Sequence, residues 1–245
     1  MNPLIEEIYK TEIVKDSQGC GVNPFPTSIG YDTGVALYKI VARTNASKTL
    51  EVGMAYGLST LFICQAHHDK VNGQHTVIDP LEETDFRSIG LLNIRRAGLD
   101  KHLRFYGAGS ESVLPVLLSH DEHFQFIFID GVHLFDYTLV EFFFADRLLD
   151  KGGHIVFHDL WMPSIRSVVN FVLRNRNYEL APQFTWKKDP SPNRFLSFLK
   201  DVKQMPFNLY SVGFSLKRLA TGMPNYCVLK KLSDDHRDWR HHRAF

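Results

Sequence analysis

The chain has 245 residues, enough for one large domain with a buried core. Lys and Arg number 28 against 27 Asp and Glu, which lacks the basic excess that a dedicated nucleic-acid binder needs for phosphate contacts. A hydrophobic content of 44% with 13% aromatics excludes intrinsic disorder. The start, MNPLIEEIYK, is acidic and has no apolar leader core, and no uncharged apolar run approaches the length of a membrane span. Cys20, Cys64 and Cys227 are far apart and make no disulfide framework. These features predict a cytoplasmic protein without nucleic-acid or membrane partners.

Residues 3–13 place Leu4, Ile5, Ile8, Tyr9 and Ile13 at helical spacing, and a loop with Gly19, Gly21, Pro24 and Pro26 leads to a helical stretch near 32–44. Thereafter apolar runs predict strands at Thr49–Gly53, His75–Asp79, Leu103–Tyr106, Phe124–Asp130 and His154–His158. Amphipathic patterns predict helices at 58–68, 84–98, 110–119, 134–149 and 163–176. This alternation implies an α/β fold whose mostly parallel sheet is covered on both faces, in three layers. Ligands in such folds sit at the carboxyl ends of the strands. Most of these ends carry glycine or a titratable side chain. Residues 183–222 break the rhythm with aromatics, basic residues and three prolines, and read as a cap over the strand ends or a subunit interface. Tyr226–Leu229 is strand-like again. The whole reads as a single domain over 1–245, with N-terminal helices in 1–45, a core in 46–182, the insertion in 183–222 and a last strand and tail in 223–245.

The strongest local pattern is Leu50-Glu51-Val52-Gly53-Met54-Ala55-Tyr56-Gly57-Leu58-Ser59, which closes a strand and opens a helix. It is neither the dinucleotide glycine fingerprint nor the lysine-bearing phosphate loop, which argues against a nicotinamide dehydrogenase. A carboxylate at Glu51 suits a ligand with an ammonium group better than a phosphate. Asp79 ends the next strand, where an acid can accept hydrogen bonds from ribose hydroxyls.

With these motifs the sequence resembles the class I S-adenosylmethionine-dependent methyltransferases, and among them the small-molecule O-methyltransferases akin to catechol O-methyltransferase. The resemblance spans about Thr27 to Asp159. It also rests on Ser28-Ile29-Gly30, Val77-Ile78-Asp79, Ser110-Glu111-Ser112-Val113-Leu114-Pro115, Phe128-Ile129-Asp130-Gly131-Val132-His133 and Gly152-Gly153-His154-Ile155-Val156-Phe157-His158-Asp159. It implies a doubly wound, Rossmann-like sheet of seven strands with the last antiparallel. It also implies S-adenosylmethionine as cofactor, with Ile29, Glu51, Gly53, Ala55, Gly57, Ser59 and Asp130 around it, Asp79 on the ribose and Ser110 near the adenine.

Asp130 and Asp159 end adjacent predicted strands, so two carboxylates meet at the mouth of the sheet. Such a pair suits Mg²⁺, and lowering the pKa of a bound hydroxyl would prepare it for methylation. The related metal-dependent enzymes carry ligands at both positions and often add a carboxamide or a further acid. Here Leu160 follows Asp159 and His158 precedes it, so His158 could join Asp130 and Asp159 and favour Mn²⁺, Fe²⁺ or Zn²⁺. The other reading is that the two carboxylates cap the helices that follow. His133 stands where catechol O-methyltransferase has its general-base lysine. With Asp130 it forms the expected catalytic pair, an imidazole being suited to take a proton from an acceptor hydroxyl. The expected activity is metal-assisted O-methylation of a small phenol, catechol, sugar or other hydroxyl compound, in a chain that could form a homodimer through residues 1–25 and the cap. The alternatives are a metal-independent N-methyltransferase and a non-catalytic binding protein on the same fold.

Overall fold

The computed structural model describes residues 1–69, 73–184 and 224–241. Helix α1 (Pro3–Thr11) starts where Asn2 accepts the Leu4 N–H at 3.0 Å and Pro3 presets the first turn, and it stops at Glu12, whose φ of 55° is left-handed. A short antiparallel pair follows, β1 (Val14–Lys15) with β2 (Gly21–Val22), and then α2 (Tyr31–Thr44). The alternating part comprises β3 (Lys48–Val52), α3 (Leu58–Asp69), β4 (Gln74–Ile78), α4 (Ile89–Arg96), β5 (Leu103–Tyr106) and α5 (Ser110–Ser119). It continues with β6 (Phe124–Ile129), α6 (Phe135–Leu148), β7 (Leu149–Phe157), α7 (Pro163–Asn175), β8 (Tyr178–Leu180) and β9 (Cys227–Lys231).

Seven of these strands form one sheet in the order β5-β4-β3-β6-β7-β9-β8. The five from β5 to β7 are parallel, and β9 runs antiparallel to both of its neighbours. The predicted α/β architecture with an antiparallel last strand is therefore present. Because side chains alternate along a strand, β6 sends Phe126 and Phe128 into the core beneath α2 and α3, and Ile127 and Ile129 into the core beneath α5, α6 and α7. Among the described residues no helix is long and apolar enough to cross a membrane.

From β3 the chain builds outward one way through β4 and β5, and from β6 it builds the other way through β7. The fork between β3 and β6 is thus the topological switch point, where open α/β sheets bind ligands. The backbone locks it: Asp130 N–H donates to Val52 O at 2.9 Å and Gly53 N–H to Ile78 O at 2.9 Å.

Several boundaries differ from the sequence expectation. The helix expected over 84–98 begins only at Ile89, because Arg87 and Ser88 take left-handed φ values of 55° and 58° that a helix cannot pass through. Strand β7 starts at Leu149, earlier than His154, and β8 was not anticipated. Three residues, Tyr178, Glu179 and Leu180, leave little periodicity to read in β8. The cap or interface expected over 183–222 falls almost wholly outside the described residues.

Helices α2 and α3 pack closely because Gly34 leaves room for the ring of Phe62, and a Cβ there would overlap that ring. Gly34→Ala is therefore expected to overpack this contact and lower stability by about 1–3 kcal/mol despite the better helix propensity of alanine. Urea denaturation checks this; an unchanged or higher midpoint would show that Phe62 moves aside freely.

Candidate functional site

The turn after β3 is shaped by backbone geometry. Gly53 and Gly57 have φ values of 92° and 77°, and Ala55 is left-handed at 47°, a strained value for a residue with a Cβ. Asp79, at the end of β4, holds this turn in place. Its Oδ2 accepts the N–H groups of Met54 at 2.7 Å and Ala55 at 2.8 Å, and its Oδ1 accepts Leu81 N–H at 2.8 Å. A carboxylate offers about four acceptor positions, so roughly one remains for a ligand.

Glu51 is fully buried and spends its carboxylate inside the protein. Ser59 Oγ donates to Oε1, Thr60 Oγ donates to Oε2 at 2.7 Å, and His75 Nε2 lies 2.7 Å from Oε2. Beyond it His75 Nδ1 is 2.8 Å from Thr49 Oγ1, which is 2.7 Å from His67 Nε2. The carboxylate can only accept, so His75 Nε2 donates to it. This buried chain fixes the strand-to-helix turn from below. Ser59 is its upper end. Ile29, expected at the cofactor, is buried, and its carbonyl accepts the Tyr9 hydroxyl at 2.9 Å.

Across the fork, Ser110 opens α5 and donates to Glu141 Oε1 of α6 at 2.9 Å. Burial raises the Glu141 pKa and the Ser110 bond opposes it; the result lies at about 7. Its Oε2 is buried and has no partner among the described residues. Glu82, on the loop after β4, accepts Leu91 N–H at 3.0 Å in place of the cap that Ser88 does not supply, and its Oε2 is likewise unpartnered.

The second centre lies at the ends of β6 and β7. His133 Nε2 stands 3.1 Å from Asp130 Oδ1 and 3.0 Å from Asp159 Oδ2. His158 Nδ1 stands 3.1 Å from Asp130 Oδ1 and 3.4 Å from Asp159 Oδ1. Each imidazole thus bridges both carboxylates. Burial disfavours the charged imidazoliums, but the bonds and charges of Asp130 and Asp159 outweigh it and push both histidines up to about 10. In return, against burial that acts the other way, His158 and His133 hold both carboxyls below their ordinary range. Two protons therefore balance two negative charges. His133 and Asp159 adopt left-handed φ values of 62° and 55°, so backbone strain is concentrated at this cluster as well as at Ala55.

Three further residues complete the cluster. Asn225 Nδ2 donates to Asp159 Oδ1 at 2.6 Å, Trp161 Nε1 donates to the same oxygen at 2.9 Å, and Ser164 Oγ donates to the His133 carbonyl at 2.7 Å. Sequence reasoning missed all three, and Asn225 is separated from Asp159 by 66 positions with no motif to betray it. A carboxamide is thus present although Leu160 occupies the position after Asp159.

Donor atoms of Asp130, His133 and Asp159 lie within 4.8 Å of one another, the one such group among the described residues. Two carboxylates with imidazole nitrogen make a mixed oxygen and nitrogen set, which fits a divalent cation and suits Mn²⁺, Fe²⁺ or Zn²⁺ as well as Mg²⁺. The expected set of Asp130, His158 and Asp159 also comes together, so both histidines are within reach of the pair.

Residues 50–160 match the family model described as a methyltransferase domain. A caffeoyl-CoA O-methyltransferase from Populus kitakamiensis is 32% identical over 106 residues, which is 42% of this chain and 43% of that one. The chain matches less than half the length of its curated relatives. Among solved structures, an O-methyltransferase from Bacillus cereus in complex with SAH superposes with a TM-score of 0.61 at 18% identity, covering 74% of this chain and 83% of that one. The Streptomyces achromogenes O-methyltransferase involved in tomaymycin synthesis, solved with SAM, gives a TM-score of 0.64 at 12% identity and covers 95% and 91%. The seven-stranded sheet that contains the matched segment 50–160 shares the fold of these solved methyltransferases.

Proposed function

We propose that the protein transfers the methyl group of S-adenosylmethionine to an oxygen of a small hydroxyl compound, a phenol, catechol or sugar, with a divalent cation assisting. The observation that carries this reading is the Asp130–His133–Asp159 cluster standing beside the glycine turn at the fork of a methyltransferase domain. The sulfonium supplies an electrophilic methyl group, so the chain has to bind it, orient the acceptor and remove a proton.

The turn from Gly53 to Gly57 lets backbone approach the methionine part. Asp79, already holding Met54 and Ala55, offers its remaining acceptor position to the sugar. Glu51 and Ser59 support the turn from within. Ser110 stands at the base. At the other centre Asp130, Asp159 and an imidazole would hold the cation, which would lower the pKa of a bound hydroxyl and draw on the carboxylates that keep His133 protonated. With His158 as the imidazole ligand, His133, relieved of its proton by the cation's pull on the carboxylates, would take the acceptor proton at Nε2. A metal-independent amine methylation is favoured by one fact: the histidines already neutralise the carboxylates without a cation.

Asp159→Ala is expected to abolish methyl transfer while calorimetry shows SAH binding changed by less than about threefold, because only the acceptor side loses a ligand. Full turnover of labelled methyl groups in that variant, or in excess chelator with hydroxyl acceptors, would remove the cation from the reaction.

Asp79→Ala should weaken SAH binding by roughly 10- to 100-fold, the loss expected when charge-assisted bonds that shape the turn disappear. Unchanged affinity would separate Asp79 from the cofactor.

In cation-free protein the histidine pairs also predict a pH trend. His133 and His158 titrate at about 10 in the fold and at about 6.5 in the unfolded chain. Their contribution to stability is complete below the lower value and is lost as pH rises through the upper one. The melting temperature should fall between pH 7 and 10, and fall less in His133→Asn. Identical slopes in the two proteins would contradict the pairing.

A further inference from the structure

Helix α6 is packed between α5 and α7 on one side of the sheet, and its inner face is buried at Thr138, Glu141, Phe142 and Ala145. Its outer face is apolar as well. Among the described residues, six of the thirteen large hydrophobic side chains that stay exposed lie within residues 132–143. Three of them are on the helix itself: Tyr137, Val140 and Phe143 are 42%, 42% and 43% exposed. Apolar side chains scattered singly over a surface need no explanation, but a run of them on one face marks an interaction site.

The order of side chains along this face identifies the occupant. Asp136, Leu139, Val140, Phe143, Phe144 and Arg147 follow at alternating steps of three and one, which keeps them on a single helical stripe. Asp136 and Arg147 are exposed at its two ends, Val140 and Phe143 are exposed at its centre, and Leu139 and Phe144 are half-buried beside them. The stripe reads alike from either end. A two-fold axis across the helix, midway between Glu141 and Phe142, exchanges Asp136 with Arg147, Leu139 with Phe144 and Val140 with Phe143. A second α6 laid antiparallel on the first therefore meets an acid with a guanidinium at both ends, and an aliphatic side chain with a phenyl ring at every step between. Such self-complementarity is what an isologous interface requires.

The guanidinium is already placed on the stripe. It lies 3.6 Å over the Phe143 ring, and one of its N–H groups donates to the Phe143 carbonyl at 2.6 Å. Arginine has five N–H donors, so others remain for an incoming carboxylate. Helices packed at about 8–10 Å between axes bring that carboxylate within reach of so long a side chain.

We propose that α6 is the contact between two copies of this chain, paired antiparallel about this axis, with Val140 against the partner's Phe143 and Asp136 against the partner's Arg147. The contact uses neither residues 1–25 nor the segment 183–222, and it stands whatever reaction the fork supports.

Sedimentation velocity on the full chain tests it. The wild type is expected to dimerise in the micromolar range, at about 10 µM. Val140→Asp puts a charge at the centre of the contact and should leave a monomer. Asp136→Arg and Arg147→Asp each set like charges against one another at both ends, and each alone should raise the dimer dissociation constant at least about tenfold. Mixed in equal amounts, these two variants present opposite charges at both ends, and should form a heterodimer within about threefold of the wild-type affinity. All three positions are exposed, and far-UV circular dichroism checks that each variant keeps the fold. A wild type that stays monomeric up to about 100 µM overturns the proposal. So does a dimer that Val140→Asp leaves intact, as do folded charge variants that dimerise unaided or fail to recover on mixing.

Discussion

Two aspartates at the ends of neighbouring parallel strands are held between two histidines, and the acceptor side of the molecule depends on that balance. Carboxylates this close and this buried repel each other unless positive charge lies between them. Here each imidazole touches both acids, so removing one member leaves a half-buried charge without compensation, a larger penalty than the loss of a surface pair. The left-handed backbone at His133 and Asp159 is tolerated because the bonds of Ser164, Trp161 and Asn225 hold the two loops in that conformation.

On the other side of the fork acids serve mainly as internal struts. Asp79 accepts three backbone N–H groups and Glu51 accepts from Ser59, Thr60 and His75, so the turn between β3 and α3 is built before any ligand arrives. A preformed turn avoids the entropy cost of ordering a loop on binding. The reading of Glu51 as a partner for a ligand's ammonium group gives way, in this geometry, to a role beneath the turn.

The layering of strands and helices was legible because β3, β4, β6 and β7 are largely buried and are followed by glycine or acid at their carboxyl ends. The glycine turn, Asp79, Asp130, His133 and Asp159 were legible for the same reason: each lies within a few positions of a strand end, where local pattern suffices. Asn225 was not, since its relation to Asp159 exists only once β9 has inserted beside β7, and Trp161, two positions from Asp159, belongs to no motif that marks its indole as a partner. Glu141 could have been noticed as an acid inside the apolar run of α6, but its partner Ser110 lies 31 positions away. Strand β8 and the late start of α4 depend on three-residue pairing and on two left-handed residues, features without a periodic signature.

The sequence has three tryptophans, of which Trp239 is 86% exposed near the carboxyl end. Trp161 is different, because its indole N–H is bonded directly to Asp159. An indole in that position feels the charge on the carboxylate through a single proton, so its emission is coupled to whatever neutralises the acid. The chain thereby carries a built-in optical reporter of the charge at Asp159, one that needs no label.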